Sequence, residues 1–390
     1  MASFNSNLLA AAGSPIMEAV GWVRDAEIPA NRPLIDLSQA APRLPPPESM
    51  RQHLAQAMLE RPSAHFYGAV LGNDDLRAEI ALQWSALYGG DISANQVAVT
   101  AGCNQAFCTA IASVCSPSDD VILPVPWYFN HKMWLDMAGI GCTPLPCDAA
   151  TLPDPDLVEG LIKQKTKAIV LVTPNNPTGA EYPDALMLRF FEIARDHRLL
   201  LLVDETYRDF HSQPGAPHTL FQQPEWQDTV AHLYSFSKVY RMTGHRTGAL
   251  ITSAERIAQT EKFLDTVTIC PAQSGQIAAL YGLRNLADWV AEQRQIFANR
   301  REFLTSRIAT DLPDWTLHGA GAYFAWVTPP FGIPAPEMAK RLVQEASLLV
   351  LPGTMFHPDG VVTQALRIAF ANADESGISA TLDRLSGIRA

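Results

Sequence analysis

The chain lacks the features that mark membrane, nucleic-acid-binding and repeat proteins. No uninterrupted apolar run reaches the roughly 18 residues that a membrane-spanning helix needs, so we expect no membrane partner. Acidic residues outnumber basic ones by 40 to 29, and the net charge of -11 argues against nucleic-acid partners and anionic membrane surfaces. Internal repeats and low-complexity tracts are also lacking, which argues against a solenoid or a disordered chain.

Cysteine pairs are missing as well. Six cysteines are present, but none forms a C-x-x-C pair and no histidine cluster accompanies them. We therefore expect free thiols in a reducing compartment and no metal site. The first cation of the chain is Arg24, which argues against a cleaved signal or an arginine-rich transit peptide. The cytoplasm is the expected location.

The pattern of apolar segments predicts an α/β protein. A length of 390 residues favours two domains. Segments that are apolar throughout alternate with helical patterns, which indicates a parallel sheet covered on both faces. The predicted strands lie at 96–100, 120–124, 167–173 and 199–204, and the predicted helices at 76–87, 103–115, 129–138 and 184–196.

The pattern changes after about residue 281. A long charged helix is predicted at 288–310, with short strands at 322–327 and 365–370 and another helix at 335–345. This mixture is typical of an α+β module. We expect a large domain at 48–280 and a small domain formed by 1–47 and 281–390.

The most informative residue is Lys238, in the run Ser235-Phe236-Ser237-Lys238, with Arg246 eight positions later. A lysine is usually a solvated surface charge, but this one has mainly aromatic and apolar neighbours. Desolvation and nearby cations favour the neutral, nucleophilic amine. A guanidinium such as that of Arg246 matches a phosphate group in bidentate fashion, although alone it would indicate a surface salt bridge.

Other polar residues lie where a ring could bind. Asp204 ends a very apolar strand, and ligands of parallel α/β sheets lie beyond the carboxyl ends of strands. Its carboxylate can pair with a protonated pyridine nitrogen, although an isolated aspartate would as often cap a turn. Tyr207 and Asn176 can hydrogen-bond a phenolic oxygen, and Tyr128 can stack on the ring. With Lys238 as the Schiff-base amine, the joint interpretation is a site for pyridoxal phosphate.

Two further segments offer anion-binding groups. Gly102-Cys103-Asn104 lies between a predicted strand and a predicted helix, where backbone N–H groups can bind a phosphate. Such turns are common, so this interpretation depends on the donors of Arg246 and Ser235. Arg367 is the one arginine in an otherwise apolar strand, and it therefore needs a carboxylate partner from the protein or from an amino-acid substrate.

Together these residues resemble the fold-type I pyridoxal-phosphate enzymes, specifically the class I/II aminotransferases of the aspartate aminotransferase superfamily. The resemblance covers about 37–372, and its most specific parts are Asn176-Pro177-Thr178-Gly179, Asp204-x-x-Tyr207, and Ser235-x-x-Lys238 with Arg246 and Gly248. It implies a large domain with a mostly parallel seven-stranded sheet flanked by helices, and a smaller α+β domain that closes over substrate. The implied activity moves an amino group between an L-amino acid and a 2-oxo acid.

The resemblance also implies residue roles. Lys238, Asp204 and Tyr207 are the implied catalytic residues. The cofactor-binding set is Gly102, Cys103, Asn104, Tyr128, Asn176, Asp204, Tyr207, Ser235, Lys238 and Arg246. The substrate-binding set is Arg367, Asn176 and Ala40, the last at a position where many relatives carry glycine. Tyr67 resembles the tyrosine that reaches the cofactor phosphate of the neighbouring subunit, which implies a homodimer with shared active sites.

Several alternatives stay open at this point. A carbon–sulfur β-lyase would use the same residues to form the same α-carbanion. A non-catalytic cofactor-binding regulator is opposed by the acidic charge, and a catalytically dead homologue by the complete set of cofactor-contacting residue types. The substrate side chain is not identified. Arg24, Arg208 and Arg241 are candidates for a second carboxylate by elimination, whereas the aromatic neighbourhood of Trp127, Phe129 and 16–22 mildly favours an apolar or aromatic side chain.

Overall fold

The computed structural model of the chain describes residues 2–389, which form thirteen strands and fifteen α-helices. The strands are β1 (Ile35–Asp36), β2 (Val97–Thr100), β3 (Asp120–Val125), β4 (Gly141–Pro146), β5 (Thr166–Val172), β6 (Leu200–Asp204), β7 (Val230–Ser235), β8 (Gly248–Ile251), β9 (Thr316–Gly321), β10 (Phe324–Thr328), β11 (Leu348–Leu349), β12 (Leu351–Pro352) and β13 (Leu366–Ile368).

The helices cover the sheets and connect the strands. They are α1 (Ser6–Ala10), α2 (Pro15–Arg24), α3 (Glu48–Glu60), α4 (Asp74–Tyr88), α5 (Cys103–Ala112), α6 (Phe129–Met137), α7 (Pro155–Leu161), α8 (Asp184–Asp196), α9 (Trp226–Thr229), α10 (Phe236–Val239), α11 (Ala254–Thr268), α12 (Gln273–Asn285), α13 (Ala287–Asp311), α14 (Ala335–Ala346) and α15 (Glu375–Ser386). Among residues 2–389, no helix combines the length and the apolar character that crossing a membrane requires.

Seven strands form the central sheet, in the order β2-β8-β7-β6-β5-β3-β4. Neighbouring strands are parallel from β7 to β4, whereas β8 is antiparallel to both β2 and β7. Side chains alternate between two apolar clusters, with Leu201 and Val203 in one and Leu200 and Leu202 in the other. Since successive residues of a strand face opposite sides, both faces of the sheet are covered. The predicted mostly parallel sheet flanked by helices is confirmed.

The apolar pattern did not identify β4, β7 and β8. Strand β4 contains two prolines and lies at the edge of the sheet, where exposed and buried residues alternate. Strand β7 carries His232 within a fully buried segment, and β8 is only four residues long. None of these segments is a long, purely apolar run, so the pattern that predicts β5 and β6 is absent from them.

The C-terminal part of the chain contains a four-stranded antiparallel sheet in the order β12-β13-β10-β9. Strand β1 pairs with β11 in parallel, so the N-terminal segment adds to this part. The strand predicted at 365–370 is shorter than expected, because β13 ends at Ile368 and a 3-10 turn follows at Phe370–Asn372. Likewise, the helix predicted to reach 115 ends at Ala112.

One close backbone contact joins the part of the chain that contains the seven-stranded sheet to the part that contains the four-stranded sheet. Gly179, in the turn after β5, has a φ of +76°, and a Cβ placed there would collide with the backbone nitrogen of Gly321 at the end of β9. A Cβ on Gly321 would in turn collide with the carbonyl oxygen of Gly179. Both positions therefore require glycine, and the turn and the β9–β10 hairpin touch backbone to backbone.

Candidate active site

A cavity of about 380 Å³ lies at the carboxyl ends of β5, β6 and β7, beside the N-terminus of α5. Its lining contains nine of the residues that the sequence identified: Cys103, Asn104, Tyr128, Asn176, Asp204, Tyr207, Ser235, Lys238 and Arg246. Ser237, a hydroxyl donor in the run at 235–238, lines it as well, and so do five residues that were not predicted: Gln39, Ala41, Val172, Thr206 and Thr243. These five became visible as site residues only in the folded chain.

One end of the cavity is built to hold an anion. Gly102 precedes α5 with a φ of +84°, and a Cβ there would collide with the guanidinium of Arg246. Glycine thus lets the guanidinium approach the N-terminus of the helix, whose N–H groups and dipole attract negative charge. The Nη1 of Arg246 donates to the hydroxyl of Ser237 at 3.3 Å, and the hydroxyl of Ser235 accepts from the Ser237 N–H at 3.2 Å. This donor set fits a phosphate group.

A buried carboxylate lies at the end of β6. The Oδ1 of Asp204 accepts from the Thr206 N–H at 3.0 Å, and its Oδ2 lies 3.2 Å from the Nε2 of His131. Burial opposes ionisation, but the contacts with His131 and Thr206 outweigh it, so the pKa of Asp204 lies below its ordinary value. The carboxylate is therefore charged at neutral pH and fits a protonated pyridine nitrogen.

Sequence reasoning missed His131, although it lies three positions after Tyr128 on the predicted helix 129–138. Its ring stacks on Phe107, with ring centroids 3.9 Å apart and planes at 14°. Tyr128 meets the same imidazole edge-on at 5.0 Å, and its hydroxyl lies 3.4 Å from the Oδ1 of Asn104. Tyr128 directly precedes the helix and His131 lies in its first turn, so their closeness in the chain was the available signal.

Lys238 lies in α10, directly after β7, and its Nζ donates to the carbonyl oxygen of Ala40. Burial, followed by the positive charges of Arg246 and Arg367, lowers the pKa of Lys238 to about 8. A sizeable fraction of the amine is thus neutral and nucleophilic near neutral pH. Ala40 itself has no positive φ, so alanine is accommodated without backbone strain at this position.

Arg367 on β13 is only 2% exposed. Its Nη1 donates to the Oδ1 of Asn176 at 2.7 Å, its Nη2 donates to the carbonyl oxygen of Ser38, and its Nε has no partner among residues 2–389. Burial lowers the pKa of Arg367 to about 10, and no described carboxylate offsets this, since only Tyr207 and Tyr128 act in the opposite direction. Of the two partners considered from the sequence, the internal carboxylate is therefore absent from the described residues.

The two remaining predicted residues, Tyr207 and Tyr67, lie inside and outside the cavity, respectively. Tyr207 is buried within the cavity lining and packs edge-on against Phe324 at 5.3 Å. Tyr67 is 80% exposed and lines a separate surface depression with Phe66 and Gly68. Within one chain, Tyr67 is therefore not brought to the site.

Comparisons with known proteins agree with this geometry. The family model for aminotransferase class I and II matches residues 32–385. Aromatic aminotransferase ISS1 of Arabidopsis thaliana is 28% identical over 361 residues, which cover 90% of this chain and 88% of that protein. Aspartate aminotransferase of Sulfolobus acidocaldarius is 27% identical over 331 residues, covering 82% of this chain and 81% of the relative. The structure of Thermus thermophilus aspartate aminotransferase with maleate superposes with a TM-score of 0.88 at 24% identity, covering 99% of this chain and 100% of the other.

The chain therefore belongs to the class I and II aminotransferase family. It is a pyridoxal-phosphate-dependent aminotransferase, and the resemblance, cofactor and activity expected from the sequence are confirmed. The relatives named here are aminotransferases, which favours transamination over the β-lyase and regulator alternatives.

Proposed function

We propose that transamination takes place in the cavity around Lys238, and that this residue holds pyridoxal phosphate as a Schiff base. The observation that carries the proposal is the buried Lys238 amine, whose pKa is lowered to about 8, in one cavity with Asp204 and Arg246. An amine, a carboxylate and a guanidinium in this arrangement match the aldehyde, the ring nitrogen and the phosphate of one small molecule.

The proposed cofactor contacts follow from the donors present. Arg246, Ser235 and the N-terminus of α5, at 102–104, hold the phosphate. Asp204 pairs with the ring nitrogen, Asn176 and Tyr207 contact the ring oxygen, and Tyr128 stacks on the ring. When bound, pyridoxal phosphate supplies an electron sink for the negative charge that develops at the substrate α-carbon.

Two further groups act on the substrate in this proposal. Arg367 binds the α-carboxylate, because its buried guanidinium has an unpartnered Nε and no carboxylate of residues 2–389 neutralises it. Lys238, released from the cofactor, moves the α-proton, since an amine with a pKa near the working pH serves well as both base and acid. The carbonyl of Ala40, which accepts from the Nζ, holds the amine in the cavity.

Domain boundaries and assembly are part of the same proposal. We assign 48–280 to a large cofactor-binding domain, and 1–47 with 281–390 to a small domain, supported by the pairing of β1 with β11. The exposed aromatic side chains of Phe66 and Tyr67, 65% and 80% exposed, support a homodimer in which Tyr67 reaches the partner's active site. Six free thiols support a reducing compartment, the cytoplasm.

The decisive experiment replaces the amine. Lys238→Ala should lose transamination by about 10²–10⁴-fold or more, the range for removing a general acid–base group, and should lose the absorbance of covalently bound cofactor. Lys262→Ala, on the exposed side of α11, is the matched control and should keep both. Full activity of the Lys238 variant would refute the role. Incubation with cystathionine and no acceptor acid tests for pyruvate and ammonia, the products of a β-lyase.

A further inference from the structure

A second cavity, of about 220 Å³, shares Lys238 with the active-site cavity. Three arginines line it, namely Arg43, Arg241 and Arg300, and we call it the arginine cavity. They come from three separate segments, because Arg43 follows β1, Arg241 follows α10 and Arg300 lies on α13. Nothing in the proposed cofactor contacts uses any of them.

The positive charges of the arginine cavity are poorly balanced. Arg241 donates to the Oε1 of Gln293 at 2.6 Å and lies 5.3 Å from the ring of Trp289, and Arg300 donates to the carbonyl oxygen of Ala371 at 2.9 Å. Neither forms an ion pair with a carboxylate of residues 2–389. Burial lowers the pKa of both arginines, and the charge of Arg300 lowers that of Arg241 further, while Glu292 near Arg241 and Asp374 and Glu375 near Arg300 offset only part of the shift. An anion bound between the two guanidinium groups would stabilise both charges.

The acidic groups nearby offset the positive charge only in part, and the two that lie closest also have partners of their own. Asp374 lines the cavity, but its Oδ1 accepts from the Gly377 N–H at 2.8 Å and from the Ser376 hydroxyl at 2.7 Å, where it caps α15. Asp36 lies 3.8 Å from Arg43, in a pair that is about half exposed. An excess of positive charge therefore stays in the lining.

A neutral donor adds to this set. Tyr323 is 1% exposed and lines the cavity, and its hydroxyl makes no hydrogen bond to any residue from 2 to 389. Burial raises the pKa of Tyr323, so the hydroxyl keeps its proton and can donate. This hydroxyl and the two guanidinium groups line one cavity and together offer donors to the acceptor oxygens of an anion.

Arg241 also differs from Arg24 and Arg208, the other two candidates for binding a second substrate carboxylate. The side chain of Arg24 is 81% exposed beside Asp25, and Arg208 is buried against the ring of Trp84 at 3.9 Å and paired with Asp209 at 3.4 Å. Of the three candidates, Arg241 is the one that lines a cavity shared with Lys238.

We propose that the arginine cavity binds a small anionic group, a carboxylate or a phosphate, through Arg241, Arg300 and Tyr323. The group has two sources. One is a free small anion. The other is the distal carboxylate of a dicarboxylic amino acid or 2-oxo acid seated at Lys238, and this source rests on the proposed function of that residue. In either case the anion joins α13, through Arg300, to the turn after α10, through Arg241.

The first test is calorimetric titration of the holoenzyme, whose own cofactor fills the site at Arg246, with inorganic phosphate and with malonate. We expect saturable binding that weakens at least about tenfold in Arg241→Gln, the effect of losing one hydrogen bond to a charged group. Tyr323→Phe removes only the hydroxyl and should weaken binding in the same direction. Arg189→Gln, on the exposed side of α8, is the matched control and should bind like the native chain.

The second test separates the sources. In half-reactions, Arg241→Gln should raise KM for L-aspartate or L-glutamate about tenfold, with KM for L-alanine unchanged, if the anion belongs to the substrate. Binding of free phosphate or malonate with unchanged selectivity assigns the site to a free anion. Lys238→Ala, kept saturated with pyridoxal phosphate so that the site at Arg246 stays filled, should still bind malonate, which separates this site from the catalytic proposal. If Arg241→Gln and Tyr323→Phe match Arg189→Gln in both tests, the proposal is overturned.

Discussion

Asp204 and Glu205 are neighbours in the chain, and both are buried beside histidine, yet their surroundings differ. Asp204 lies 3.2 Å from His131 and lines the active-site cavity. Glu205 lies 2.7 Å from the Nε2 of His232 and 3.5 Å from that of His218, and all three side chains have no exposed surface. Adjacent residues at the end of β6 thus face two different environments.

The comparison shows that a shifted pKa does not by itself identify a catalytic group. Burial opposes ionisation of both carboxyl groups, and in both cases the histidine contacts outweigh it and the pKa is lowered. The two carboxylates differ in whether a ligand can reach them. Asp204 lines a cavity, whereas Glu205 is surrounded by protein on all sides. The ligand-type atoms of Glu205, His218 and His232 lie within 4.8 Å of one another, and the sequence pattern had not indicated this cluster. We interpret it as a buried polar network around one carboxylate that stabilises the fold.

Of the two neighbouring carboxylates, Asp204 should have the larger effect on activity. If Asp204 pairs with the ring nitrogen as proposed, Asp204→Asn should lower kcat about 10²–10³-fold, the range for removing one preorganised electrostatic contact. The melting temperature should stay near that of the native chain, because asparagine can still accept from the Thr206 N–H. Steady-state kinetics and calorimetry on the same preparation check both parts. If Asp204→Asn keeps the native kcat, Asp204 is not catalytic, and its proposed difference in role from Glu205 is wrong.

Glu205→Gln should act on stability. The carboxylate accepts from the Tyr88 hydroxyl and lies 2.7 Å from the Nε2 of His232, so replacing it with an amide leaves a buried donor without an acceptor, and we expect the free energy of unfolding to fall by about 1–3 kcal/mol. The fraction that stays folded should turn over at close to the native rate. Urea denaturation gives the stability, and kcat per folded molecule gives the activity. Loss of turnover at native stability would contradict the structural role of this cluster.

His131→Phe tests a positioning residue. Phenylalanine can keep the stack on Phe107 but not the contact with Asp204, so activity should fall about 10–100-fold, as for a lost hydrogen bond to a charged group. Asp204 has a lowered pKa, so its ionised form is lost only as pH falls through that value. Without His131 the pKa rises, and the acid limb of the pH–activity profile should move to higher pH. An unchanged acid limb would show that His131 does not act through Asp204.

The smallest effect concerns the amine of Lys238. Its pKa of about 8 lies below the ordinary 10.5 for lysine, so the neutral form increases as pH rises through 8. The rate at which the cofactor-free chain captures pyridoxal phosphate should therefore rise about tenfold between pH 7 and pH 9 and then level off. Stopped-flow absorbance measures this rate. A rise that continues beyond pH 10 would indicate an ordinary, solvated lysine.

The sequence alone predicts the parts of the site that lie in short motifs. Lys238 with Arg246, and Asp204 with Tyr207, are each close in the chain, so their spacing carries information about the site. His131 lies on α6 and meets Asp204 only through packing of the helix on the sheet. The arginine cavity joins residues of three distant segments and has no local pattern at all. Tyr67 depends on a second chain and stays a prediction.

The contact between Gly179 and Gly321 fixes the relative position of two residues proposed to act on the substrate. Asn176 lies in the turn that carries Gly179, and Arg367 lies on β13, which pairs with the β10 strand of the hairpin that carries Gly321. The main-chain contact therefore helps to set the distance between the amide and the guanidinium, which also bond each other directly. Any closing motion that preserves this contact moves the two groups as a unit, and a methyl group added at either glycine would spread them apart.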